Sequence, residues 1–176
     1  MTDPIRPTDD QARDLARRLL ARMRHAALGS LDPESGTPLV TRIALQCDPD
    51  GVPLALLSSI AAHSRALQAD PRVGLLVTDD AARKGDAMTH ARLSLLALAR
   101  PAPPDPDRRA RWLARDPKAK VYIDLPDFRF WRLEPQSGLL NGGFGRAFRL
   151  SAADMQRPPE AEASGGPIAS RARNLP

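Results

Sequence analysis

The chain of 176 residues has the length of one domain, and its 26 lysines and arginines exceed its 21 aspartates and glutamates by a formal net charge of +5. The basic residues are interleaved with acids and aromatic residues make up only 4% of the chain, which excludes the stacking platform of a single-stranded nucleic-acid binder. No apolar run approaches the roughly 18 residues of a membrane span and the N-terminus lacks an apolar signal region, so we expect a soluble cytoplasmic protein.

The first predicted element is an amphipathic helix that begins after Thr8 or Asp9, either of which can cap it. One face of this helix is apolar, and arginines occupy most of the opposite face. Such a helix could lie on a membrane or on nucleic acid, but packing on a barrel or at a dimer contact is the more frequent role. Its apolar face consists of Ala12, Leu15, Ala16, Leu19, Leu20, Met23 and Ala27.

Three strands joined by turns follow this helix, over residues 26–31, 38–47 and 53–58. The second connection, Asp48-Pro49-Asp50-Gly51, is a strong turn signal because Pro presets φ and Gly tolerates the left-handed region. Cys47, before this turn, is the only cysteine, so it cannot form an internal disulfide. We predict that it is a buried structural thiol.

A short helix is predicted next, with Ser58 or Ser59 as its cap. It ends at Asp70-Pro71, because the residue before a proline is pushed out of the α region. A strand over residues 73–78 and a loop over residues 79–88 follow. The strand over residues 90–100 is apolar on both faces in its middle, which is typical of a strand covered on both sides.

The last third of the chain is predicted to alternate short helices and strands. Trp112 and Leu113 lie on the packing face of the first of these helices. The predicted elements are a helix over 107–115, a short helix or turn over 118–123, a strand over 127–133, a turn over 134–138, and short strands over 139–140 and 144–150.

These elements predict a mainly β fold of the α+β class, an antiparallel barrel with peripheral helices. Residues 8–150 are expected to form this domain. From residue 151 onward Pro, Gly and small residues dominate, and little of the segment could be buried. We therefore expect residues 151–176 to form a flexible tail, or one that is ordered only by a partner.

One constellation suggests an anion site. Ser58, Ser59, Ser64 and Arg65 fall at the junction of a strand end and a short helix, and Arg42 lies on the neighbouring strand. Hydroxyls, free backbone N–H groups and guanidinium groups together suit a phosphate. The structural alternative is that the two serines before the helix only cap it and that Arg65 is only solvated.

The sequence contains no other recognisable catalytic or metal-binding motif. His25, His63 and His90 have no metal-ligand spacing with cysteines or carboxylates, so no metal site is predicted. There is no G-x-S-x-G elbow, no Rossmann fingerprint and no P-loop, because the glycine-rich stretch 142–145 is followed by Arg146 rather than by Lys and Ser or Thr. Taken alone, Asn141-Gly142-Gly143 is best explained as a hairpin turn.

Taken together, several blocks resemble a known family. They are Thr41-Arg42-Ile43-Ala44, the stretch from Leu57 through Ser64-Arg65 to Asp70-Pro71, Arg92-Leu93-Ser94-Leu95, Asp127-Phe128-Arg129-Phe130-Trp131, and Gly142-Gly143-Phe144-Gly145-Arg146. From about residue 12 to residue 150 the chain resembles the pyridoxamine 5'-phosphate oxidase-like FMN-binding split-barrel superfamily, and within it the haem-utilisation branch.

The resemblance implies a six-stranded split barrel, a homodimer, and FMN sites at the subunit interface. In that arrangement Arg42 and the backbone of Ile43 and Ala44 would meet the flavin and its phosphate arm. Ser58 and Ser59 would lie beside the ring or ribityl chain, and Ser64 and Arg65 would hold the phosphate. Trp131 and Arg146 would come from the second half of the barrel, from the same chain or its partner.

The leading sequence-based hypothesis is an FMN-binding flavoprotein with oxidoreductase activity on an unidentified small molecule, the redox chemistry being that of the flavin. The second hypothesis is a protein that binds haem or another anionic ligand on the same barrel without turnover. The third is a nucleic-acid or protein-interaction module that uses the N-terminal basic helix.

Overall fold

Eight strands and four α-helices make up the described part of a computed structural model, which covers residues 5–78, 86–143 and 145–156. Two 3₁₀ helices, Ala87–Thr89 and Pro117–Val121, complete these elements. The strands are β1 Ile5–Arg6, β2 His25–Leu31, β3 Pro38–Cys47, β4 Pro53–Ser58, β5 Arg72–Thr78, β6 Arg92–Pro101, β7 Phe128–Asn141 and β8 Ala147–Ser151. The α-helices are α1 Asp10–Arg22, α2 Ala62–Ala69, α3 Arg108–Arg115 and α4 Ala152–Met155.

Six of the strands close into an antiparallel barrel in the order β7-β4-β3-β2-β5-β6, with β6 pairing back onto β7. The ladder between β6 and β7 runs the full length of β6 and covers residues 131–141 of β7, from Arg92–Asn141 to Pro101–Trp131. β8 pairs with the end of β7, and β1 adds to β8 in parallel. The predicted fold class, a mainly β barrel with six antiparallel strands and peripheral helices, is therefore confirmed.

The turn predicted over residues 134–138 is wrong, because these residues lie inside the 14-residue strand β7. The register explains the misleading signal. Leu96 pairs with Ser137 while Ala97 pairs with Pro135, so one extra residue, Gln136, forms a bulge. A bulge is one of the few places where a strand tolerates the missing N–H of proline. The short strand predicted over 139–140 is accordingly the end of β7.

Helix α1 closes one side of the barrel core, as its apolar spacing predicted. The Asp9 side chain caps it by accepting from the Ala12 amide at 2.8 Å. At the other end, Arg115 of α3 donates to the carbonyl of Ala21 at 2.7 Å and so satisfies a free helix carbonyl. The buried residues of this face are Ala12, Ala16, Leu19, Leu20 and Met23.

The first residues of the predicted flexible tail form helix α4, Ala152–Met155. Ser151 and Asp154 make a capping box, and Met155 is buried in the barrel core. Arg13 donates to Asp154 at 2.6 Å, which lowers the pKa of this carboxyl to about 2. Residues 157–176, the predicted loop residues 79–85 and Phe144 lie outside the described residues.

A second, smaller core lies outside the barrel, where α3 covers the outer face of β4 and β7. The Trp112 and Phe130 rings meet edge to face with centroids 5.4 Å apart. Gln46 on β3 donates to the Trp112 carbonyl at 3.1 Å. Beneath the helix, Leu54 and Leu56 are almost fully buried, so α3 is a structural layer of the barrel wall.

Buried charge fixes the start of α3 to the turn between β3 and β4. The Asp48 side chain is 4% exposed and accepts from Arg132 at 2.6 Å and from Arg108 at 3.3 Å. Arg132 also pairs with Asp50 at 2.7 Å. Two guanidinium groups are therefore held around one buried carboxylate, a pairing that the turn motif alone could not reveal.

We expect Asp48→Ala to destabilise the fold by about 3–5 kcal/mol, because both arginines would lose a buried partner. Denaturant unfolding measures this difference. Asp10→Ala removes a carboxylate that also pairs with an arginine but is 96% exposed, and should have little effect. Equal effects of the two substitutions would contradict the role of burial.

Candidate functional site

The barrel wall splits between β3 and β4. Among the described residues their ladder consists of Cys47–Pro53, Gln46–Leu54 and Leu45–Ala55. Continuing this register would set Arg42 opposite Ser58, but β4 goes on to pair only with β7, up to Ser58–Phe128. The backbone of Ile43 and Ala44 therefore borders an opening in the wall, while the Ile43 side chain fills the barrel core.

The corner between β4 and α2 is held by Asp127, which directly precedes β7. The Ser58 hydroxyl donates to Asp127 Oδ2 at 2.5 Å, and the Ser59 amide donates to the Asp127 carbonyl at 2.7 Å. The Ser64 hydroxyl donates to the Ser58 carbonyl at 2.7 Å. Three hydrogen bonds thus fix the peptide and the side chain of Ser58.

The prediction that Ser58 or Ser59 caps α2 is wrong. The helix begins after Ala61, and no side chain makes a cap hydrogen bond there. Both serines lie before the residue at which the helix begins, and the Ser58 hydroxyl instead donates to the Asp127 carboxylate, which the pairing of β4 with β7 brings beside it. Ser64 is 1% exposed, and its hydroxyl also donates within this corner, to the Ser58 carbonyl.

Arg65 and Arg42 present exposed guanidinium groups on either side of the opening. Arg65 donates to the Ile60 carbonyl at 3.4 Å. It also lies near the turn after β2, where hydrogen bonds from Ser35 lower the pKa of Asp32 and the positive charge of Arg65 adds to the effect. Arg42 contacts His25, with Nη2 and Nε2 3.3 Å apart.

His25 and Arg42 belong to a groove on the outer face of the barrel. It has a volume of about 350 Å³, within the range of ligand sites, and is lined by β2, β3 and β5. Val40 and Leu76 give it an apolar side, and both are exposed. The groove thus combines apolar surface with an imidazole and a guanidinium.

Trp131 and Arg146 are not brought to this corner within one chain. Trp131 is 7% exposed and packs into the barrel core opposite Ala55. Arg146 is exposed in the connection after β7, at the opposite end of that strand from Phe128. Arg42, Ser58, Ser59, Ser64 and Arg65 do lie around the end of β4 and the facing part of β3.

Two polar residues of this region, His25 and Asp127, are not predicted as site residues from the sequence. His25 pairs with Ala44 and contacts Arg42 through the β2–β3 register, which no local signal reveals. Asp127 is far from Ser58 in sequence and becomes its partner only when β4 pairs with β7. Its position directly before an aromatic strand is the one signal that could have drawn attention to it.

His63 and Cys47 are both partly buried. Partial burial lowers the pKa of His63, and desolvation raises the pKa of the Cys47 thiol to about 12. Within the described ranges, no group of three or more His, Cys, Asp or Glu residues could hold a metal ion. The helices in the same part of the chain are all too short or too polar to cross a membrane.

A family model described as pyridoxamine 5'-phosphate oxidase matches residues 12–141, about three quarters of the chain. The chain belongs to this family. It is 31% identical over 146 residues to the chloroplastic heme oxygenase HOZ of Arabidopsis thaliana, with 78% of this chain and 42% of the relative covered. It is 30% identical over 105 residues to the heme oxygenase HutZ of Vibrio cholerae, with 57% of this chain and 60% of the relative covered.

A solved heme binding protein from Mycobacterium smegmatis has a similar fold, with a TM-score of 0.74 and 28% identity. The alignment covers 86% of this chain and 61% of that chain. The chain therefore spans about half the length of the two heme oxygenases it matches, and less than two thirds of this structure. The family and the barrel are shared, and the relatives contain further sequence beyond them.

Ser64→Ala should destabilise the protein by about 1 kcal/mol, because the Ser58 carbonyl would lose a buried donor. Urea unfolding measures this loss. Ser94→Ala removes the same hydroxyl from an exposed position on β6 and should leave stability nearly unchanged. A Ser64→Ala protein as stable as the Ser94→Ala protein would show that this bond does not hold the corner.

Proposed function

We propose that this family member binds a planar anionic cofactor on the outer face of its barrel, and that haem is the first candidate. The observation that carries the proposal is the groove in which His25 and Arg42 lie side by side against Val40 and Leu76. The names of three relatives, two heme oxygenases and a heme binding protein, support the same ligand.

The residues of the groove fit haem in their chemistry. Imidazole is a common ligand of haem iron, a guanidinium pairs with carboxylates such as the haem propionates, and the apolar side chains suit a porphyrin face. Because Arg42 can only donate, its contact makes His25 Nε2 an acceptor, and haem iron would take this lone pair in place of Arg42.

Titration of the full chain with haem tests this proposal. We expect a Soret band that shifts on binding, and we expect His25→Ala to weaken binding at least about tenfold and to change the band, because the imidazole would be gone. His90→Ala, which removes a histidine at the start of β6, serves as the matched control. A His25→Ala spectrum identical to that of the unchanged protein would contradict the assignment of His25.

FMN is the second candidate, and the split between β3 and β4 favours it. The opening is bordered by the backbone of Ile43 and Ala44 and flanked by the exposed guanidinium groups of Arg42 and Arg65. Two guanidinium groups suit a phosphate arm. Bound FMN would supply redox chemistry and make the protein an oxidoreductase. The Ser64 hydroxyl donates to the Ser58 carbonyl. Ser64 would therefore hold the backbone at the end of β4 in place, and Arg65 would bind the phosphate.

Arg65→Ala should lower FMN affinity on the order of tenfold to a hundredfold, because one charge-assisted pair to the phosphate would be lost. Quenching of flavin fluorescence measures this affinity. Arg72→Ala provides the control, since Arg72 is an exposed arginine just beyond α2 that already pairs with Asp70. Unchanged FMN affinity in Arg65→Ala would remove Arg65 from the phosphate site.

We further propose a homodimer through the apolar outer face of the barrel. One row across the strands reads Val40, Gly29, Gly74 and Leu96, so the two glycines form the floor of a trough between exposed side chains. This trough of about 610 Å³ shares Val40 with the His25–Arg42 groove. A second copy seated there would border the groove, and its exposed Arg146 could reach it, whereas Trp131 packs into the barrel core of its own chain.

A further inference from the structure

We propose that Asp127 fixes Ser58 as a hydrogen-bond acceptor, so that the corner between β4 and α2 recognises the amide edge of a planar heterocycle. The inference rests on the FMN candidate of the proposed function, and it names which part of such a ligand meets the corner. Asp127 acts through Ser58 and is therefore a positioning residue.

The Ser58 hydroxyl uses its proton within the corner. A serine hydroxyl carries one O–H donor and two acceptor lone pairs. This O–H donates a hydrogen bond to Asp127 Oδ2 at 2.5 Å, the length of a charge-assisted O–H···O⁻ bond. What remains on Ser58 Oγ for a ligand is acceptor capacity, so the ligand group that meets it must be a donor.

The corner is preorganised for this role. The Ser59 amide holds the Asp127 carbonyl and the Ser64 hydroxyl holds the Ser58 carbonyl, each at 2.7 Å. Ser58 also pairs with Phe128 in the β4–β7 ladder. Turning the Ser58 hydroxyl toward a ligand would leave the Asp127 carboxylate without its donor, which is a costly exchange in a partly buried site.

The same groups disfavour an anion at this point. A phosphate or carboxylate would face the lone pairs of Ser58 and the negative charge of Asp127, and both repel it. The anionic arm of a ligand is therefore expected at Arg42 or Arg65, and an uncharged N–H at Ser58. The corner thus sets the direction in which a ligand with one anionic end can lie across the opening.

The surroundings add a ring surface and a donor. Phe128 lies opposite Ser58 on β7, and the Tyr122 ring packs on it with centroids 5.0 Å apart. Both rings are only partly buried. The Ser59 hydroxyl has no partner among the described hydrogen bonds and can donate to a carbonyl. An acceptor next to a donor, beside aromatic rings, matches an edge that carries N–H beside C=O.

A cyclic amide or imide carries such an edge, and flavins, pterins and pyrimidines share it. Haem does not, because its pyrrole nitrogens bind the metal and its polar groups are carboxylates. The corner therefore distinguishes the two candidate cofactors, although the exposed Arg42 could serve either of them.

The test compares FMN with 3-methyl-FMN, in which a methyl group replaces the imide proton, in titrations of the full chain. The unchanged protein should bind FMN about five- to tenfold more tightly than the methyl derivative. Ser58→Ala should reduce this ratio to about one, and Asp127→Ala should also lower it, because the Ser58 hydroxyl would no longer be held as an acceptor. Ser58→Thr keeps the hydroxyl and should keep the preference.

Ser151→Ala is the matched control, because Ser151 also donates its hydroxyl to an aspartate, Asp154, at 2.7 Å but lies on the far side of β7. It should leave the ratio unchanged, whereas a merely structural role of Ser58 would lower both affinities together. Equal binding of the two flavins by the unchanged protein would overturn this inference alone. Failure to bind either flavin would overturn the FMN candidate and the inference with it.

Discussion

The pairing of β7 with its neighbours is the constraint on which the rest of the structure depends. Its first half pairs with β4, its second half with β8, and nearly its whole length with β6, so one strand closes the barrel and connects the terminal segments to it. The bulge at Gln136 lets this long strand bend around the core. Because Asp127 directly precedes β7, the closure of the barrel also determines where this carboxylate lies.

Charged groups are used differently inside the wall and at the opening. At the turn after β3, Asp48 is buried and satisfied by Arg108 and Arg132, so these arginines serve the fold. At the opening, Arg42 and Arg65 remain exposed and make only weak contacts with His25 and the Ile60 carbonyl. The location of each arginine is therefore more informative than the net charge of the chain.

Local signals sufficed for much of the fold, because the features they report are local. The Asp9 cap, the apolar face of α1 and the turn after Cys47 depend on residues only a few positions apart. The bulge in β7 could not be predicted, since Pro135 reads as a turn unless its partner on β6 is known. The role of Ser58 was missed for the same reason, because Asp127 reaches it only through the closed sheet.

The two candidate cofactors make different demands on residues that this barrel brings close together. The groove at His25 offers an imidazole, which suits a metal ion in a porphyrin, whereas the corner at Ser58 offers a fixed acceptor, which suits a ring N–H. Arg42 belongs to both candidate sites, because it lies on β3 between them. A ligand that used both guanidinium groups would have to span the split, and then the polarity imposed by Asp127 would decide which of its ends meets the corner.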